Sequence, residues 1–182
     1  MAVKYPFGET ENLVTANVGT VGTYATLAGE YGNDRQHTTI LSLTGALPAI
    51  AGGANLAVGR LIYTLPAGNI RITNALFNNV AITQTDGKIN ADTPDVGLGT
   101  TIASGAVAVL GGTAAFENIL TGQTFADCNG TGTKAGVAST LNILAAADHT
   151  VYLNVADGWA ASGDAAAAIS GTVVLSWEFL DA

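Results

Sequence analysis

The sequence predicts an all-β fold, an antiparallel β-sandwich of jelly-roll-like kind with an extended N-terminal arm. Three observations lead there. The stretch 169–180 sets Val173, Leu175, Trp177 and Phe179 on one side of an extended chain and Thr172, Ser176 and Glu178 on the other. That is the alternation of a half-buried strand carrying two aromatics inward. About eight segments of this kind recur between turn signals, the spacing of a sandwich or barrel, and many-stranded sandwiches commonly follow jelly-roll topology. The composition agrees, with 23 glycines and 11% charged residues, against roughly 25% charged in ordinary soluble domains.

In chain order, residues 1–37 form one unit and 38–182 the sandwich. The first unit mixes Gly8, Gly19, Gly22, Gly29 and Gly32 with Thr, Asn and Glu and shows no sustained alternation. Its aromatics argue against a free tail. Tyr5, Phe7, Tyr24 and Tyr31 are the candidate partner-binding residues, anchors of an arm that orders against a neighbour. Thr38 to Leu43 is a short apolar strand ended by Gly45 and Pro48. Arg60 to Leu65 alternates Leu61, Tyr63 and Leu65 against Arg60, Ile62 and Thr64, and Pro66-Ala67-Gly68 suits a tight hairpin turn.

The next stretch keeps one parity through Ile70, Ile72, Leu76, Val80 and Ile82. It is long for one strand, so a break or bulge near Asn78-Asn79, or a single bent strand, is expected. Asp86-Gly87 turns the chain, and Val96 and Leu98 alternate with Gly97 and Gly99. Residues 101–134 give no firm pattern, and Thr113 to Leu120 reads equally as one helical turn or an irregular strand. Leu141 to Leu144 and His149 to Val155 are strands, and Asp157-Gly158 and Ser162-Gly163-Asp164 are loops before the final strand.

With 182 residues the chain is long enough for one well-buried core. Its net charge of −8 and the scattering of Lys4, Arg35, Arg60, Arg71, Lys88 and Lys134 argue against nucleic acid, which needs clustered cations to displace counterions. No stretch has the apolar length of a membrane span or a secretion leader, so synthesis in a cytoplasm and no membrane partner are expected. The lone Cys128 has no internal disulfide partner and no flanking base.

Motifs for catalysis are missing from the sequence. There is no phosphate-cradling glycine loop, no dinucleotide fingerprint and no nucleophile elbow. His37 and His149 are far apart, and His149, at a strand start, reads as a local hydrogen-bonding residue. Asp86, Asp92 and Asp95 lack the EF-hand spacing and read as turn residues. Nothing singles out a carboxylate pair among Glu9, Glu11, Glu30, Glu117 and Glu178. The expectation is a non-enzyme without catalytic, cofactor-binding or metal-binding residues.

Five phrases carry a resemblance. They are Arg-Leu-Ile-Tyr-Thr-Leu-Pro-Ala-Gly at 60–68, Thr-Pro-Asp-Val-Gly-Leu-Gly-Thr at 93–100 and Phe-Glu-Asn-Ile-Leu-Thr-Gly-Gln at 116–123. His-Thr-Val-Tyr-Leu-Asn-Val-Ala-Asp-Gly-Trp at 149–159 and Gly-Thr-Val-Val-Leu-Ser-Trp-Glu-Phe at 171–179 complete them. Over residues 38 to 182 the chain resembles virion structural proteins of tailed bacteriophages, particularly the small β-sandwich proteins that decorate or cement capsids. The resemblance implies a homotrimer on the capsid exterior, bridging subunits of the major capsid protein, and no catalytic residues. The alternative is a phage fibre, spike or tail adhesin that binds a host-surface receptor, with exposed loop aromatics such as Trp159.

Overall fold

The structure is a computed structural model and describes residues 18–50, 55–83, 94–107, 109–111, 115–124, 141–143, 149–156 and 166–180, with the short strands at 3–4 and 10–11. Tyr5, Phe7, the turn at 85–88, Asp86, Asp92, Cys128 and the loops around 157–164 lie outside the described residues. Those described contain strands, turns and irregular chain and no helix.

β12 (Ala168–Phe179) occupies the centre of its sheet, between β7 (Ile70–Thr83) and β5 (Gln36–Leu43). Its inward row is the one the alternation predicts: Ile169, Val173, Leu175 and Trp177 are buried, and Phe179, half-buried, closes the end of the core. β4 (Ala25–Gly32) and β10 (Leu141–Ile143) complete the sheet in the order β10-β7-β12-β5-β4. The second sheet has the order β3-β6-β11-β8-β9, from β3 (Thr20–Val21), β6 (Ala57–Thr64), β8 (Asp95–Gly99), β9 (Leu120–Thr124) and β11 (Thr150–Ala156). A separate ladder pairs β1 (Val3–Lys4) with β2 (Thr10–Glu11).

All neighbours are antiparallel, and their pairing is nested. β8 pairs with β9, β7 with β10, β6 with β11 and β5 with β12. The pairs β7–β12 and β8–β11 complete the two sheets. The inner faces make one core, in which Leu41, Ile72, Phe77, Leu175 and Trp177 meet Ile62, Tyr63, Leu98, Val151 and Leu153. Stacked sheets about 10 Å apart leave little room for water between such side chains.

The boundary expected at residue 37 is not where the sheets begin. β3 is hydrogen-bonded to β6, and β4 lies along the whole of β5. Alternation fails in β4 for two physical reasons. A bulge between Leu27 and Gly29 shifts its register, and its inward residue is a carboxylate, Glu30. Both are devices that keep an edge strand from pairing with other chains.

The expected irregularity in β7 is present. Asn79 has φ 52°, and opposite it Gly171 (φ 102°) lies so close that a Cβ there would sit 2.3 Å from the Asn79 carbonyl oxygen. In β6 the predicted parity breaks, with Ile62 and Tyr63 both buried, because the pairing slips between Val151 and Tyr152 of β11.

The unpatterned middle has a definite place. The described residues between 100 and 119 form no helix; they lie across the outer face of the second sheet, and Ala103, Leu110 and Phe116 make a small second core with Ala57 and Ala156. The glycines of β6 and β8 permit this approach. A Cβ on Gly99 would fall 2.1 Å from the Ala115 carbonyl oxygen, and one on Gly59 would fall 2.1 Å from Asn154 Oδ1. The buried Asn154 then ties the segment down. Its Oδ1 accepts from the Ala103 N–H (2.8 Å), and its Nδ2 donates to the Thr101 (2.9 Å) and Phe116 (2.7 Å) carbonyls.

Candidate functional site

Three places in the molecule gather polar or exposed groups in a way that the strand pattern alone does not require. The first is a buried network between the sheets at the β3–β4–β5 corner. The Thr39 hydroxyl donates to Glu30 Oε1 (3.0 Å), and the Tyr63 hydroxyl donates to Oε2 (3.4 Å). Each hydroxyl accepts in turn, Thr39 from the Trp177 indole N–H (2.8 Å) and Tyr63 from the Gly19 N–H (2.8 Å). Both chains of donors end on one carboxylate, so the arrangement suits Glu30 as an anion.

His37 completes the cluster. Its ring stacks on Trp177 with centroids 4.0 Å apart and planes 6° from parallel, and Phe179 meets it edge-on. Nδ1 lies 3.3 Å from Glu30 Oε1 but without hydrogen-bond alignment, and Nε2 is buried without a partner among the described residues. Burial pushes the Glu30 carboxyl up, opposed by the two hydroxyl donors. Burial pushes the His37 imidazole down, opposed by the charge of Asp34. Burial, with the neighbouring carboxylate, pushes the Tyr63 phenol up to about 12. A carboxylate beside an imidazole is the equipment of acid–base catalysis. Here Glu30 is 1% exposed and His37 3% exposed, so little of either side chain reaches solvent. The cluster joins β4, β5, β6 and β12 across the core.

The second place is the pair Asp95 and Glu117. Asp95 Oδ2 accepts from the Leu110 N–H (2.9 Å), and Glu117 Oε2 accepts from the Gly122 N–H. Burial and, to a lesser degree, the Glu117 charge raise the Asp95 carboxyl. Both carboxylates hold the covering segment, and the described residues contain no group of three metal-ligating side chains. His149 is also structural: its Nε2 lies 2.9 Å from the Gly68 carbonyl oxygen, across the β6–β7 turn.

Comparison with protein-family models, curated proteins and solved structures gave no match. The molecule's own surfaces therefore carry the functional argument.

The third place is the outer face of the first sheet. Outward residues of its middle strands are Thr38, Ile40 and Ser42 on β5, Thr172, Val174 and Ser176 on β12, and Asn74, Leu76 and Asn78 on β7. None is charged. Val174 stands directly opposite Ile40 on one side and Leu76 on the other, making an apolar bar across three strands. These three side chains are half-buried, and neither hydrophobic cluster includes them. The charged groups sit at one end, where Arg71 bonds the Glu178 carboxylate, lowers its pKa and cancels its charge. A cleft lined by Gly32, Asn33, Gln36, His37, Thr38, Thr73, Ser176, Trp177 and Glu178 lies at that same end.

The predicted anchors are distributed differently. Tyr24 is packed against the core, with the Arg60 guanidinium 4.2 Å over its ring. Tyr31 lies in β4 opposite Thr38, half-buried, its ring over Gly29. Both belong to the sandwich rather than to a separate arm. Residues such as Glu30 and Asn154 were missed because hydrophobic periodicity treats a buried polar residue as an error.

Proposed function

We propose that this chain is a structural protein of a tailed-phage virion, a decoration or cement module that binds the capsid exterior and bridges capsid subunits. The observation that carries the reading is the inequality of the two sheets. Described residues between 100 and 119 lie on the outer face of the second sheet, while the outer face of the first presents, among the described residues, an uncharged surface with an apolar bar. Interface cores are depleted of charged residues, and this face shares that property. The nested pairing of β5 to β12 supports a jelly-roll reading of the sandwich, an architecture common among capsid proteins and also lectins. Fold alone does not assign a function, so the argument rests on the face.

A specific feature favours the adhesin reading as second choice. The cleft at the end of the plate offers amide and hydroxyl groups of the kind that recognise sugars. Electron cryo-microscopy of intact particles made with the chain separates the two. Sandwich density on the outer shell is expected; density only at a tail tip or fibre selects the adhesin, and particles lacking the chain refute both readings.

A further inference from the structure

We infer that His37 is an acid trigger built into the fold: its protonation releases the edge strand β4 from β5 while the rest of the sandwich stays closed. The inference stands apart from what either outer face binds.

The trigger sits between three strands. His37 is paired with Gly32 of β4 on one side and with Trp177 of β12 on the other. Its ring lies flat on the Trp177 indole, and Phe179 meets it edge-on. That setting suits a neutral imidazole, since neither nitrogen has a hydrogen bond among the described residues. An imidazolium carries two N–H donors and needs two acceptors. Left without them in the core, its charge is strongly destabilising.

The described groups around it do not supply them. From β4, Glu30 approaches to 3.3 Å, but the Thr39 and Tyr63 hydroxyls already donate to its two oxygens. Burial also raises the Glu30 carboxyl, so this counter-charge fades as acid is added. From β6, the Tyr63 phenol is pushed up to about 12 and stays neutral. Asp34, in the turn between β4 and β5, is exposed, and its charge only partly offsets the burial of the ring. β7 brings Ile70 and Ile72 to this end of the core, while Arg71 and Glu178 bond each other on the outward row.

The element that yields is β4. It is a sheet edge paired to β5 alone, and a bulge between Leu27 and Gly29 interrupts its ladder. β5 is held by β12 on its other side. The cleft lined in part by Gly32, Asn33 and His37 lies against the same rung and gives solvent a short path to it. Release of β4 lets water solvate Glu30 and His37 together. With its folded value below 6.5, His37 opposes closure as pH falls through 6.5; Glu30, raised above 4.5, favours closure and damps the effect. An imidazole free to titrate near 6.5 in the open state promotes opening by up to roughly 25-fold between pH 7 and pH 5, before that damping.

Hydrogen exchange of the full chain at pH 7 and pH 5, with labelling times scaled for the intrinsic pH dependence of amide exchange, tests this strand by strand. Protection in 25–32 should fall by about five- to 25-fold at pH 5, while β11 and β12 keep theirs. Glu30→Gln removes the damping and should deepen the fall, and His37→Phe should abolish it. If His37→Phe folds poorly, nuclear magnetic resonance of the native chain gives the same reading, because the His37 ring should titrate together with the β4 amides. Unchanged protection of β4, or a loss shared equally by β11 and β12, overturns the proposal. So does a fall that persists in His37→Phe, where His149 remains, or a His37 ring that stays neutral while β4 opens.

Discussion

Replacing Asn154 with Leu tests whether residues 100–119 are part of the folded unit or only rest upon it. The side chain is fully buried and makes three hydrogen bonds to backbone groups. Leucine has nearly the same bulk and no polar atom, so packing is preserved while three backbone groups lose their partner. The Thr101 carbonyl belongs to an exposed residue and can take water instead. The Ala103 N–H and the Phe116 carbonyl belong to residues that are 3% and 7% exposed. Each buried unsatisfied group costs about 1–3 kcal/mol, which gives a loss of about 2–6 kcal/mol.

For a chain of this size about 4 kcal/mol corresponds to a melting point lower by roughly 8–16 °C. Urea unfolding followed by circular dichroism measures the loss, and hydrogen exchange at the Ala103 amide reports local opening of the segment. A loss below about 1 kcal/mol together with unchanged protection at Ala103 would refute the claim that Asn154 pins the segment.

Two further outcomes follow from the corner network. Trp177→Ala removes a fully buried ring, its stacking on His37 and the donor to Thr39, and should cost at least about 3–5 kcal/mol in chemical denaturation; an unchanged midpoint refutes the core placement. The folded pKa of His37 is depressed from 6.5, so its stability contribution is present above 6.5 and is lost as pH falls. Glu30 is raised from 4.5 and acts oppositely, its contribution growing as pH falls towards 4.5. His37→Phe keeps the stack without the titration, so urea midpoints at pH 7 and pH 5 should show this variant losing less stability than the native chain, and an equal loss would refute the assignment.

Strands were legible wherever one face met the core and the other met water. β12 and β11 show this, since Val151, Leu153, Val155, Val173, Leu175 and Trp177 fall on the buried side as alternation requires. The pattern failed where that condition failed. β4 lies at an edge, is bulged and turns a carboxylate inward, so residues 25–32 read as part of an arm. Asn154 stood on the polar row of β11 yet is buried, because a second layer covers that row. The Glu30–His37 contact joins residues whose proximity depends on the bulge and on the pairing of β4 with β5. Spacing in sequence does not encode it.

The signal for the covered face was nonetheless present in Val96-Gly97-Leu98-Gly99, where apolar residues alternate with glycine instead of Thr or Ser. An outward row of glycine has no reason to face water, since it weakens the strand and contributes no side chain to solvate. It becomes intelligible when another backbone must lie directly on the sheet, as at Gly99, where the Ala115 carbonyl leaves no room for a Cβ. The outward row of β12 is the opposite: Thr172, Val174 and Ser176 carry β-branched or hydroxyl side chains that hold other backbone away. Glycine on one outer face and Thr, Val and Ser on the other thus separate the sheet the chain closes for itself from the sheet it leaves to a partner. Substituting Val174 should accordingly change association and leave stability nearly untouched, while substituting Asn154 should do the reverse.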